Sequence, residues 1–199
     1  FALNGFSVQP FLTAAEVTTL LSSYEGLLSM LPDGLPDTFC PSGRFEDPLL
    51  RNFARNSIDA IVPSQLSSFF IDEKASLMGG TFLIKPSGPN TALSPHQDSS
   101  HVDESYSFSV YAWIPLVDTT IENGAFHVVP GSHLWGNKHR SLNVPWCFAG
   151  KEEALLKLSQ PVDVKCGEVC FFEGALIHSS PPNLSKQTRV ALNYFIKPA

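Results

Sequence analysis

The sequence predicts a mainly β fold, a small antiparallel sandwich or jelly roll backed by helices from its N-terminal end. Three observations carry this expectation. Apolar residues recur at helical spacing only in the first third of the chain. Short β-branched and aromatic runs fill the remainder, and Pro, Gly and Asn clusters punctuate those runs. Strands so spaced, with helices segregated to one end, argue for a layered antiparallel core.

Taken in order, Thr13 stands three residues before Glu16, a capping-box pattern, and Leu20, Leu21, Leu27 and Leu28 follow as a helical stripe. Residues 32–41 read as a loop dense in Pro, Gly and Asp. Asp47 before Pro48 is an N-cap ahead of a first-turn proline, opening a helix through Leu50, Phe53 and Ile58. A shorter helix is expected over 64–70. Strands are expected over 81–85, 107–115, 124–129, 160–164, 168–172 and 188–196. The long excursion over 135–158 reads as a loop with a short helix over 152–158. The 199 residues fit one domain, with helical support over about 1–75 and a jelly-roll core over about 76–199.

Composition excludes several classes. Apolar residues make up 43% and charged residues 16%, which suits a chain with a real core rather than a disordered one. The net charge of −6 gives no clustered excess of Lys and Arg to track phosphates, so no nucleic-acid partner is expected. Cys40, Cys147, Cys166 and Cys170 lack zinc-knuckle spacing, and a chain this long needs no disulfide staples. They read as reduced core thiols. No apolar run is long enough for a membrane, and the first residues lack a signal-peptide pattern. The expectation is a cytoplasmic protein acting on a small molecule, with no membrane partner.

Chemistry concentrates in a few places. His96-Gln97-Asp98 and His101-Val102-Asp103 are both His-x-Asp triplets. On an extended backbone, residues i and i+2 project to one face, so either triplet can offer an imidazole and a carboxylate together. That is two-thirds of a facial triad, which leaves iron positions open for co-substrate and oxygen. His178 follows a strand pattern and can supply the third ligand, although a lone histidine there is more often a structural one. Arg189 stands in an otherwise apolar strand, either snorkelling to the surface or pairing with an anion. Its planar fork suits the distal carboxylate of a dicarboxylate. His-x-Asp, then His, then Arg is the logic of a 2-oxoglutarate oxygenase.

Residues 81–196 also resemble the phytanoyl-CoA dioxygenase family. The resemblance rests on Phe-Leu-Ile-Lys85-Pro, Pro95-His-Gln-Asp98, Tyr111-Ala-Trp113 and Glu122-Asn-Gly-Ala. It continues through Val129-Pro-Gly-Ser-His133, Gly167-Glu-Val-Cys-Phe-Phe172, and Ile177-His178-Ser with Arg189. No single piece is decisive, but in family order they make a specific match. The resemblance implies a double-stranded β-helix, cupin-like, with Fe(2+) bound by His96, Asp98 and His178, and with O2 and 2-oxoglutarate as co-substrates. It implies Arg189 against the distal carboxylate of 2-oxoglutarate, further co-substrate contacts from Lys85, Trp113 and Ser180, and Gln97 lining the site. It places the metal at the first triplet, which leaves His101 and Asp103 to a substrate-side loop or to solvent. His133 is expected to be structural.

The implied reaction is hydroxylation of an unactivated C–H bond. Related halogenases carry a small residue in place of the carboxylate, whereas this chain keeps Asp98. Two alternatives stand beside it. A cupin-type metalloenzyme of other chemistry would keep the histidines without needing Arg189, and a catalytically silent sandwich would need neither. For substrate, Ser99, Ser100, Trp146 and Phe148 are the wall the sequence offers. Arg44, Arg51 and Arg55 read as a solvated helix face, with a carboxylate anchor as the other reading.

Overall fold

The N-terminal helices begin where their caps stand. In the computed structural model, which describes residues 1–69, 75–136, 139–141, 144 and 146–197, Thr13 caps α1 (Ala14–Ser29) through a full capping box with Glu16. The buried stripe of α1 runs through Val17, Leu20, Tyr24 and Leu27, while Leu21 and Leu28 lie at its margin. Asp47 caps α2 (Pro48–Asp59) by accepting the Leu49 N–H at 2.8 Å, and Leu50, Ala54 and Ile58 face inward. The next helix, α3 (Val62–Leu66), starts two residues before the expected 64–70, because Pro63 suits a first turn better than an interior. Phe70 lies outside the described residues.

The strands, in chain order, are β1 (Phe6–Pro10), β2 (Cys40–Pro41), β3 (Ser76–Lys85), β4 (Leu93–His96), β5 (Val110–Pro115), β6 (His127–Val128), β7 (Gln160–Pro161), β8 (Glu168–Glu173), β9 (His178–Ser180) and β10 (Arg189–Lys197). The short helix α4 (Glu152–Leu158) precedes β7, where the sequence predicts it. The larger sheet runs β1-β8-β5-β10-β3-β2 and the smaller β4-β9-β6-β7, with every pairing antiparallel.

Several expected strands change length. The 81–85 run extends back to Ser76, because β10 keeps pairing with it as far as Lys197. The 107–115 run begins only at Val110. The 124–129 run shrinks to β6, since Gly124 adopts φ +81 in the preceding turn, where a ladder cannot start. The 160–164 run keeps only Gln160 and Pro161 in the ladder. Sequence patterning missed β1, β2, β4 and β9. Pro10 and Pro95 obscured β1 and β4, yet both strands are sheet edges, where a missing N–H is tolerated. The larger sheet therefore draws β1 and β2 from the N-terminal part of the chain.

Period-two alternation sorts the larger sheet into two faces. Outward, Phe82, Ile84, Ile114, Leu192 and Ile196 pack with Leu20, Leu27, Ile58 and Leu66 of the helices in one apolar cluster. Inward, Tyr111, Trp113, Cys170 and Phe172 meet Phe126 and Val128 from the smaller-sheet side. The same alternation turns Thr81, Leu83 and Lys85 of β3, and Arg189 and Asn193 of β10, to that inner side. The four cysteines are free, but only Cys170 is a core thiol: Cys40 is half-buried, and Cys147 and Cys166 are exposed in loop positions. No helix among the described residues is long and apolar enough to cross a membrane.

Candidate metal and co-substrate site

The smaller sheet opposes two histidines. In the β4–β9 ladder Leu93 pairs with Ser180 and His96 with His178, so β4 spends one residue more than β9 over that stretch, a β-bulge. The bulge lets Leu93 and His96 both line one cavity despite their odd spacing. Beyond the end of β4, Asp98 is held back toward the ladder by its N–H, which donates to the Gly174 carbonyl at 3.1 Å. One ligand atom from each of His96, Asp98 and His178 then lies within 4.8 Å of the others.

Orientation is fixed from behind. The His96 Nδ1 contacts the Ser94 carbonyl at 2.8 Å, and the His178 Nδ1 contacts the Leu176 carbonyl at 2.9 Å. A proton on each Nδ1 leaves each Nε2 lone pair free for a metal. Burial, reinforced by His96, keeps the His178 pKa well below its usual value, so the ring is neutral, as a ligand must be. Burial raises the Asp98 pKa against the opposing pull of His96, His101 and Arg140. Its Oδ2 is buried with no hydrogen-bond partner. A carboxylate so placed calls for a cation, and two imidazoles with one carboxylate suit ferrous iron. The residues present fit the metal.

Arg189 shows the same kind of unmet demand. It is 2% exposed, its Nε and Nη1 have no hydrogen-bond partner, and its Nη2 reaches only the Ser180 Oγ at 3.5 Å. Its guanidinium lies 5.5 Å from the centre of the Trp113 ring. Beside it the Lys85 Nζ donates to the Ser180 Oγ at 2.6 Å and to the Ser180 and Pro181 carbonyls at 3.2 and 2.5 Å. The Ser180 Oγ in turn donates to the Gly124 carbonyl at 2.8 Å. A side chain at Gly124 would meet Lys85 Cδ and the Pro181 carbonyl at 2.7 Å, which is why the turn there is glycine. Burial first, and Arg189 second, push the Lys85 pKa down to about 7; burial alone takes Arg189 to about 10. An anion is the partner this corner lacks.

A cavity of about 230 Å³ joins the two groups. His96, Asp98, His178, Ser180, Trp113 and Arg189 share its wall. Lys85 and Gln97 stand behind that wall. The Gln97 amide bridges the Ala175 carbonyl, 2.5 Å away, and the Trp146 indole N–H, 3.0 Å away, so it braces the turn before His178.

Other expectations separate. His101 packs its ring on Phe195, 5.0 Å between centroids, and exposed Asp103 caps the Ser105 N–H at 3.0 Å, so the second triplet does not converge. His133 is buried and contacts the Ala2 carbonyl at 3.1 Å, away from the cavity. Ser99, Ser100, Trp146 and Phe148 do not line the cavity. Trp146 is taken up by Gln97, and Ser100 exchanges hydrogen bonds with the Arg140 backbone. Arg51 and Arg55 are engaged with local carbonyls and Asp59, whereas Arg44 reaches the cavity. Sequence reading missed Arg140 and Glu104, a nearly dry ion pair at 2.5 Å. Arg140 Nε also donates to the Asp98 carbonyl at 2.8 Å, tying this pair to the triad.

Known proteins share both the sequence and the architecture. A family model for phytanoyl-CoA dioxygenase (PhyH) matches residues 2–191. Phytanoyl-CoA dioxygenase 1 of Oryza sativa subsp. japonica is 30% identical over 153 residues, covering 75% of this chain and 53% of the Oryza protein. The 1-deoxypentalenic acid 11-beta-hydroxylase of Streptomyces arenae is 30% identical over 140 residues, covering 60% of this chain and 47% of that enzyme. The chain thus spans about half the length of the curated relatives it matches. HygX from Streptomyces hygroscopicus, solved with nickel and 2-oxoglutarate bound, superposes with a TM-score of 0.69 at 21% identity, over 100% of this chain and 84% of HygX. That likeness identifies the jelly-roll core as a double-stranded β-helix. By the extent of the sequence match and by its fold, the chain belongs to the phytanoyl-CoA dioxygenase family.

Proposed function

We propose that this chain is an Fe(II)- and 2-oxoglutarate-dependent dioxygenase that hydroxylates an unactivated C–H bond of a small molecule, with succinate and CO2 as co-products. The observation that carries the reading is a pair of unmet charges in one cavity: the orphaned Asp98 Oδ2 beside His96 and His178, and the orphaned Arg189 donors beside Lys85 and Ser180. A cupin-type enzyme of other chemistry, or a silent sandwich, would leave Arg189 buried without purpose. HygX is described with 2-oxoglutarate bound and the Streptomyces arenae relative as a hydroxylase, which supports carrying both attributes to this chain.

His96, Asp98 and His178 would hold the iron, which when bound supplies oxygen activation coupled to decarboxylation of 2-oxoglutarate. The residues do the rest. Arg189 takes the distal carboxylate of the co-substrate through Nε and Nη1, and Ser180 Oγ adds a contact once its proton turns from the Gly124 carbonyl to the carboxylate. Lys85 holds Ser180 in place and adds positive charge behind it. The Trp113 ring lies under the guanidinium, 5.5 Å to its centre, and offers it a cation–π contact. Gln97 braces the turn that carries His178. Leu93, Phe126 and Phe172 make that end of the cavity apolar and exclude water from the reacting atoms.

Asp98 supports oxygen transfer over halogenation. With a carboxylate in the triad there is no protein-vacated position for halide, so oxygen transfer is the expected outcome. The substrate is a small acid, amino acid, acyl thioester or natural-product intermediate. Turnover in 18O2 and high chloride tests the reading: the product gains one labelled oxygen atom, whereas a halogenated product from the unaltered chain contradicts it. We read residues 1–199 as one oxygenase domain, with helices over about 1–75 and the core over about 76–199. Four free thiols are what a reducing compartment maintains, and this supports a cytoplasmic setting.

A further inference from the structure

The 3-10 turn Ser42–Arg44 follows β2, the last strand of the larger sheet, and it is pinned in place. The Ser42 Oγ and the Gly43 N–H both meet the Thr81 Oγ1, at 2.9 and 2.8 Å, and the Phe82 N–H donates to the Ser42 Oγ at 3.0 Å. Gly43 belongs to this clasp, since a Cβ there would press on the Thr81 Oγ1 at 3.2 Å. The clasp fixes the backbone that carries Arg44. Arg44 is exposed and lines the same cavity as the triad, together with Phe39, Pro41, Leu83 and Leu93.

Arg51 and Arg55 spend their guanidiniums on local carbonyls and Asp59, but no hydrogen bond or ion pair engages the Arg44 side chain among the described residues. The cations in the cavity wall are Arg44 and Arg189, apart from any charge on the histidines. Arg189 is buried beside Ser180 and Trp113, whereas Arg44 stands at the sheet edge, on the solvent side. Beside the triad and the two arginines, the wall contributes apolar Phe39, Pro41, Leu83 and Leu93 along with polar Thr81 and Asn193.

We infer that Arg44 anchors a carboxylate on the substrate, so that the site takes a small monocarboxylic acid with an apolar body. The inference rests on the function proposed above, since it assigns Arg189 to the co-substrate and leaves Arg44 for the substrate. A guanidinium fork matches one carboxylate by two parallel hydrogen bonds. A ligand carrying several phosphates would need a cluster of cations, which this wall does not have. The apolar body then lies along Phe39, Leu83 and Leu93, and its far end reaches the triad.

The test is calorimetric binding of matched pairs: decanoate against decanamide, cyclohexanecarboxylate against its amide, phenylacetate against its amide. Each is titrated into the full chain, metal-free and with Fe(II) and 2-oxoglutarate bound without oxygen. At least one acid should bind about tenfold or more tightly than its amide, the scale of a hydrogen bond to a charged group. Arg44→Gln should erase that preference, Arg44→Lys should keep part of it, and 2-oxoglutarate affinity should not move in either variant. The inference is overturned if no acid outbinds its amide, if Arg44→Gln keeps the preference, or if Arg44→Gln weakens 2-oxoglutarate instead. An acid preference that depends on Arg44, in a chain that forms no succinate with iron, would uphold the inference and sink the proposed function.

Discussion

His96 and His178 are direct partners across the β4–β9 ladder, their rings 4.1 Å apart between centroids and tilted by 53°. Their approach is built by backbone, a bulge in β4 and a carbonyl behind each Nδ1, so the ladder sets two of the three ligand positions. Alanine at His96, Asp98 or His178 should each lower Fe(II) affinity by more than the roughly 10–100-fold that loss of an outer partner costs. His101→Ala and Asp103→Ala should leave it unchanged. Metal content after dialysis at matched free iron decides this; retention by His96→Ala with loss in His101→Ala would reassign the centre.

Lys85 gives a signed dependence on pH. Its pKa in the folded chain, about 7, lies below the ordinary lysine value of 10.5. Between those values the unfolded chain binds more protons than the folded one, so stability rises with pH. The cost of burying the charge is fully present below about pH 7 and is relieved toward pH 10.5. Thermal unfolding from pH 7 to 9.5 should therefore show the native chain gaining on Lys85→Met, at roughly 2–4 °C for each 1 kcal/mol relieved. Parallel curves for the two proteins would contradict this.

Arg140 and Glu104 are 4% and 9% exposed, and Arg140 also reaches the Asp98 carbonyl. Arg140→Leu should destabilise the chain, because it removes both the ion pair with Glu104 and the hydrogen bond to the Asp98 carbonyl. Leucine at both positions should lose less than the sum of the two single losses. Differential scanning calorimetry of the two single variants and the double variant measures it; additive losses would mean that the pair does not act as a unit.

Much of this was legible in sequence because it was local. The caps at Thr13 and Asp47, the helix α4 and the long strands β5, β8 and β10 follow from neighbouring residues. His96, Asp98 and His178, which the structure brings within 4.8 Å of one another, could be singled out because His-x-Asp, His178 and Arg189 each carry a chemical signal, with the family resemblance choosing between the two triplets. What was missed is non-local. β1, β2, β4 and β9 are short and exist only through their partners, and prolines at sheet edges mask two of them. Arg140 and Glu104 lie 36 residues apart, and nothing in either neighbourhood announces the contact. The bond from the Trp146 indole N–H to Gln97 is hidden for the same reason: the two residues are 49 apart.

Arg189 bears most directly on the central claim, because its two orphaned donors have no role in the fold. The measurement is equilibrium binding of 2-oxoglutarate, without oxygen, to the native chain with and without Fe(II), and to iron-loaded Arg189→Leu. The account predicts one site per chain, tighter with iron than without. It also predicts a loss of roughly 2–5 kcal/mol in the Arg189 variant, as when one partner of a buried charge pair is removed. Binding that ignores the metal, or that is equally tight in Arg189→Leu, would contradict it.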